Sequence, residues 1–192
     1  MIPFTRTAGS CAVTLALAAS ALACPHPAAA SVVQIKRLAI SQPPAYRLTA
    51  QVPSDYGLLN KGQHGFNLFN RLALGGGNPP ADIPVMLNVS YLNTSDEDDE
   101  TVAKELKSGE AIQRAAGNRY LVRHLGATLG ALIVPGTKGR SAAVEVFRQA
   151  PGNVVIAATA SVDDGGHWQT ALSYGLLVIR SLRGHWFKAT LS

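Results

Sequence analysis

Residues 141–182 read SAAVEVFRQAPGNVVIAATASVDDGGHWQTALSYGLLVIRSL, and the fold turns on how that stretch is parsed. From Ser141 to Arg148 the chain alternates, with Ala142, Val144 and Val146 on one side and Ala143, Glu145 and Phe147 on the other. Val154 to Val162 alternates again, placing Val154, Ile156, Ala158, Ala160 and Val162 opposite the more mixed Val155, Ala157, Thr159 and Ser161. Between the two runs, Ala150-Pro151-Gly152-Asn153 supplies turn chemistry: proline presets one dihedral, and glycine and asparagine accept positive φ. Two period-2 runs joined by a short glycine-containing loop predict a β-hairpin. Beyond Asp163-Asp164-Gly165-Gly166, the residues Trp168, Leu172, Gly175 or Leu176, Ile179 and Leu182 recur at steps of three and four, which predicts an amphipathic helix. The predicted nucleus is one hairpin with a helix laid across it.

Working outward, Ser31 to Ile40 reads as a first strand ended by Gln42-Pro43-Pro44. Tyr46, Leu48, Ala50 and Val52 then alternate with Arg47, Thr49 and Gln51, a half-buried strand. In Gly62 to Leu74 the residues Phe66, Phe69, Leu72 and Ala73 fit one helical face, with Gly75-Gly76-Gly77 as its cap and linker. Ile83 to Leu92 predicts a third strand. Residues 94–118 form a polar, acidic insertion, expected to be a mobile loop carrying a short helix. Arg119 to Val134 fits either a helix or a bent strand whose glycines permit tight packing, and His185 to Leu191 a short terminal strand. The expected architecture is α+β: a mostly antiparallel sheet of about five strands with two or three helices packed on one face.

The N-terminus carries a separate signal. Arg6 precedes an uncharged, largely apolar run from Cys11 to Ala23, too short to span a bilayer, with small residues beyond it. That pattern is a secretory signal peptide, expected to occupy 1–30 and to leave a single periplasmic domain over 31–192. Cleavage before Ser31 fits Ala28-Ala29-Ala30, and cleavage before Cys24 fits Ala21-Leu22-Ala23. The second would offer Cys24 for lipidation and a membrane tether. No cysteine follows Cys24, so an exported domain here gains nothing from disulfides.

Composition narrows the function classes. The 192 residues are 47% hydrophobic and 15% charged, unlike a disordered chain. Formal charge is +5, and five of the twelve acids sit together in Asp96-Glu97-Asp98-Asp99-Glu100. From Ala111 onward nine Lys or Arg face only Glu145, Asp163 and Asp164, a balance suited to an anionic partner or to a plain solvated surface. Aromatics make up 6% with no basic-aromatic interleaving, which argues against nucleic acid.

Several constellations bear on chemistry. Ser173 in Leu172-Ser173-Tyr174-Gly175 echoes a nucleophile elbow without its first glycine, and His167 and Asp163 would complete a triad. The alternative is a serine on the surface of a helix. Gly-His-Trp occurs at 166–168 and again at 184–186, read as tryptophans packing at helix ends with the indole N–H near the surface. His64, His124, His167 and His185 lack ligand spacing, so no metal is expected. Asp96 to Glu100 lacks the donors and glycine of a calcium loop, and 136–141 lacks phosphate-loop spacing. No cofactor is expected.

Arg119 to Gly130, the strand Ala142-Ala143-Val144-Glu145-Val146, and Ala157 to Gly166 leading into the helix together resemble uncharacterised families of small Gram-negative envelope, lipoprotein-like domains. That resemblance covers about a third of the chain. It implies a periplasmic α/β domain that assists an envelope process by protein contact, with no catalytic residues; the expected partner is an envelope protein or, from the charge balance, an anionic envelope polymer. The expected function is therefore a non-catalytic, periplasmic or secreted binding or adaptor module. The alternatives are a periplasmic hydrolase using His167, Ser173 and Asp163, and a small-ligand or lipid carrier with an apolar pocket between sheet and helix.

Overall fold

The computed structural model describes residues 34–92, 101–136, 140–152, 154–187 and 189–192. The expected signal peptide, Cys24 and the acidic run 96–100 lie outside the described residues. Among these residues eleven strands form two antiparallel sheets. The larger contains β3 (Tyr56–Gly62), β4 (Gly65–Asn70), β5 (Met86–Leu92), β6 (Leu121–Gly126), β7 (Leu129–Val134), β8 (Ala142–Ala150) and β9 (Val154–Val162), in the order β3-β4-β5-β9-β8-β7-β6. The smaller contains β1 (Ile35–Gln42), β2 (Tyr46–Pro53), β10 (Arg183–Trp186) and β11 (Ala189–Leu191), in the order β1-β2-β10-β11. Three helices, α1 (Arg71–Leu74), α2 (Val102–Ala115) and α3 (Trp168–Ser181), complete the described elements. The α+β class and the antiparallel pairing agree with expectation; the sheet of about five strands does not.

The predicted hairpin is β8–β9, in register from Ala142 opposite Val162 to Ala150 opposite Val154. It lies in the interior of the larger sheet and is covered on both faces. Val144, Val146, Ile156, Ala158 and Ala160 join the main core with α3 and the smaller sheet. Phe147, Val155 and Ala157 point the other way, into a second cluster under α2. Strands buried on both sides read as almost continuous apolar runs, as β9 does. The helices therefore do not share one face: α3 and α2 sit on opposite faces of the larger sheet.

Both α3 and α2 dock where a glycine gives room. A Cβ added to Gly175 of α3 would lie 3.0 Å from Val146 Cγ2, so the helix rests directly on β8. That close seating takes up, at this position, the space a carrier would need between helix and sheet. On the other face an added Cβ at Gly130 of β7 would meet Leu106 Cδ1 at 2.7 Å and Val102 Cγ1 at 3.0 Å. The second helix runs for 14 residues where a mobile loop carrying only a short helix was expected. Thr101 Oγ1 caps it by accepting from Lys104 N at 3.2 Å. At the far end Gly117, at φ 68°, lets Asn118 N reach Gln113 O at 3.0 Å and its own N reach Arg114 O at 3.1 Å. Those two bonds satisfy carbonyls the helix would otherwise leave open.

Two further expectations are corrected. Residues 65–70 form β4, not a helix, because Phe66, Leu68 and Asn70 are buried on one side while Gly65, Asn67 and Phe69 alternate with them. Helix α1 begins only after Asn70, whose side chain accepts from Leu72 N at 2.9 Å and donates to Asp55 Oδ2 at 2.8 Å. Residues 119–134 are neither a helix nor one bent strand but the hairpin β6–β7, closing between Gly126 and Leu129. Trp186 is also not near the surface. It is fully buried against Tyr46, Phe66 and Tyr91, with ring centroids 5.1, 5.8 and 5.6 Å away.

Candidate binding groove

The smaller sheet buries one face and shows the other to solvent. Tyr46, Leu48, Ala50 and Val52 of β2 point into the main core. The side chains that alternate with them, together with their cross-strand partners, make the outer face. Arg37 lies opposite Gln51, Ala39 opposite Thr49 and Ser41 opposite Arg47. On the other side of β2, Arg183 pairs with Thr49 and His185 with Arg47. Gly184, at φ 122°, makes that pairing possible, since a Cβ there would sit 2.2 Å from Arg47 O. Arg37, Arg47, Arg183 and His185 are all exposed on this face.

The C-terminal end of α3 extends the same surface. Ser181 Oγ accepts from Gln51 N at 2.8 Å, which ties the helix to β2. Arg148 reaches across from β8 and donates to Ile179 O and Leu182 O, each at 3.0 Å. Arg183 donates to Arg180 O at 2.7 Å and to Leu182 O at 2.9 Å. Cations at a helix C-terminus answer both its open carbonyls and its dipole. Burial, and then the neighbouring Arg183, push the Arg148 guanidinium below its ordinary acidity range. The result is an open groove of about 560 Å³ lined by Arg37, Gln51, Ser173, Leu176, Leu177, Arg180, Ser181 and Arg183. A second hollow of about 350 Å³ lies beside it over Ala39, Ser41, Arg47 and Thr49, and Arg183 lines both.

The two segments that build this surface contain no acid. Residues 34–53, which hold β1 and β2, and residues 165–192, which hold α3, β10 and β11, include no Asp or Glu at all. None of Arg37, Arg47, Arg180 and Arg183 belongs to an ion pair among the described residues. In the sequence the basic residues of the C-terminal half are spread from Arg114 to Lys188. The fold gathers Arg180 and Arg183 with Arg37 and Arg47, which come from the opposite end of the chain.

The three residues considered for catalysis stand apart from one another chemically. Ser173 lies on the exposed side of α3, and its Oγ donates to Gln169 O of its own helix at 2.9 Å. His167, in the 3-10 turn before α3, has its Nε2 3.7 Å from Asp164 Oδ2, and its side chain is 61% exposed. Asp163 is exposed. Among the described residues no hydrogen bond joins Ser173 to His167 or His167 to Asp163, and only Ser173 reaches the groove. The described histidines are also dispersed: His64 stacks on Phe187 at 5.5 Å, and His185 Nδ1 sits 3.4 Å from Thr190 Oγ1. No group of three or more His, Cys, Asp or Glu among the described residues is placed to hold a metal ion.

The polar groups on the α2 side of the larger sheet are largely engaged with one another. Asn67 donates to Asn60 Oδ1 at 2.7 Å and Asn88 donates to Asn67 Oδ1 at 2.6 Å. The row continues across β9 and β8 through Thr159 to Glu145. Burial raises the Glu145 carboxyl above its usual range, and its hydrogen bond to the Thr159 side chain opposes that rise.

The fold has known counterparts. The Saccharomyces cerevisiae Ran-binding protein Mog1p superposes with a TM-score of 0.54 over 79% of this chain and 95% of that one, at 8% identity. A mutant of Mog1 gives 0.52 over 78% and 95%, also at 8% identity. This chain shares the fold of Mog1. At such identity the likeness is one of backbone architecture. The sequence matches no family model and no curated protein.

Proposed function

We propose that this protein is a non-catalytic binding or adaptor module of the cell envelope, and that the outer face of β1, β2 and β10 with the end of α3 is its binding surface. The observation that carries the reading is a surface whose strands and helix hold no acid: four exposed arginines on three strands and one helix, none in an ion pair among the described residues, around an open groove. A one-sign surface attracts partners of the other sign and speeds their encounter. A shared fold with a Ran-binding protein is compatible with a role in protein contact. The exported location rests on Arg6, the short apolar run from Cys11 to Ala23 and the small residues beyond it.

The test is photo-crosslinking in a Gram-negative host, with a crosslinking amino acid at Thr49 in one strain and at Glu110 on α2 in another. Discrete adducts from Thr49 and none from Glu110, in a periplasmic or outer-membrane fraction, are expected. Equal labelling from both positions, or a cytoplasmic location of the protein, refutes the reading.

A further inference from the structure

We infer that the groove is built for an acidic protein segment that also carries apolar side chains, laid across β2 with its carboxylates on the arginines. This rests on the binding-module reading and names the chemistry of the partner. The first argument is the state of the short-range donors. A compact phosphate site uses converging backbone and hydroxyl donors, but those lining this groove are already engaged: Gln51 N with Ser181 Oγ, and Ser173 Oγ with Gln169 O. What remains are long guanidinium arms on separate elements, Arg183 with its Nη1 already on Arg180 O and Leu182 O; such arms suit charges spread along a chain and bind carboxylates through paired N–H groups.

Spacing is the second argument. Arg37 on β1 and Arg183 on β10 flank β2, opposite Gln51 and Thr49 respectively, so their backbones stand two strand spacings across and two residues along, roughly 12 Å apart. Alternate residues of an extended peptide advance about 7 Å, within reach of both arms given their length. The floor is the third. Leu176 and Leu177 line the groove between Ser173 and Arg180, offering an apolar seat that a purely polyanionic polymer would leave unused. A bilayer surface, being broad and smooth, would not enter two hollows that meet at Arg183.

The experiment measures fluorescence anisotropy of the full chain with three labelled peptides: alternating Glu and Leu, alternating Glu and Ser, and alternating Lys and Leu. Arg37→Gln/Arg180→Gln is the variant, since neither side chain makes a hydrogen bond among the described residues, and its thermal unfolding is compared with wild type. The Glu/Leu peptide is expected to bind best, to weaken as salt is raised, and to lose about tenfold or more in affinity with the variant. Equal binding of the Lys/Leu peptide, or no change with the variant, overturns the inference. So does arginine-dependent binding of phosphatidylglycerol vesicles in the absence of peptide binding. If the peptides fail but Thr49 crosslinks persist and vanish in the variant, the adaptor reading survives and the acidic-segment inference falls.

Discussion

Leu106→Ala tests the most consequential difference between expectation and structure, the docking of α2. Leu106 is 2% exposed and packs with Val102, Leu132, Phe147, Val155 and Ala157. The substitution removes three carbons, worth about 2.4 kcal/mol at roughly 0.8 kcal/mol per buried methylene. A residual cavity brings the expected loss to about 3 kcal/mol, within the roughly 2–5 kcal/mol seen for buried Leu→Ala changes. Denaturant unfolding measures the total, and hydrogen exchange locates it: protection should fall first over 102–115, because α2 rests on a satellite cluster and not on the main core. Gly130→Ala supplies an internal control. Its new Cβ would crowd Leu106 Cδ1 at 2.7 Å, so it should destabilise wild type and be better tolerated once Leu106 is alanine. Additive effects of the two changes, or a loss below about 0.5 kcal/mol for Leu106→Ala, would show that α2 does not sit where it is described.

Glu145→Gln should stabilise the protein at neutral pH. Burial raises the folded-state carboxyl above its unfolded value, so the native state binds the proton more tightly. Stability from this group is then greatest at low pH and is lost as pH rises through the raised value, and the advantage of glutamine should shrink to nothing in acid. Urea titrations of both proteins across pH check this; a pH-independent difference would refute it. Tyr56→Phe removes the buried bond from the Tyr56 hydroxyl to Pro84 O and should cost about 1–3 kcal/mol, read by thermal unfolding. Because burial also pushes that hydroxyl far above its ordinary range, Tyr56 should contribute no tyrosinate absorbance before alkaline unfolding.

Local patterning carried the reading wherever one period stood alone. β2, β8 and β9 declare a period of two, and α3 a period near 3.6, so each was legible from side chains a few residues apart. Phe66, Phe69 and Leu72 misled because they also satisfy a helical spacing, while the buried polar Asn70 broke the strand pattern at its last position. The hairpin β6–β7 was hidden by its turn, where Ala127-Thr128 offers none of the usual residues and Gly126 alone supplies the unusual backbone, at φ 146°. The splitting of the strands into two sheets was beyond local patterning, since β2 and β10 pair across more than 130 residues. The groove follows the same rule. The lack of acids in its two segments is visible in the sequence, but their adjacency exists only once the chain ends meet.

That pairing of β2 with β10 sets an order on events. Until Arg183–Trp186 arrives, β2 has β1 on one side and an open row of amides and carbonyls on the other. The main core likewise waits for Trp186, Ala189 and Leu191. A chain shortened after Leu182 would keep the larger sheet's strands and α3, yet lose the residues that seal the layer on which the arginines stand. Residues 183–192 thus act as a latch: the surface offered to a partner comes into being only once they are seated, and a copy cut before them cannot compete for that partner.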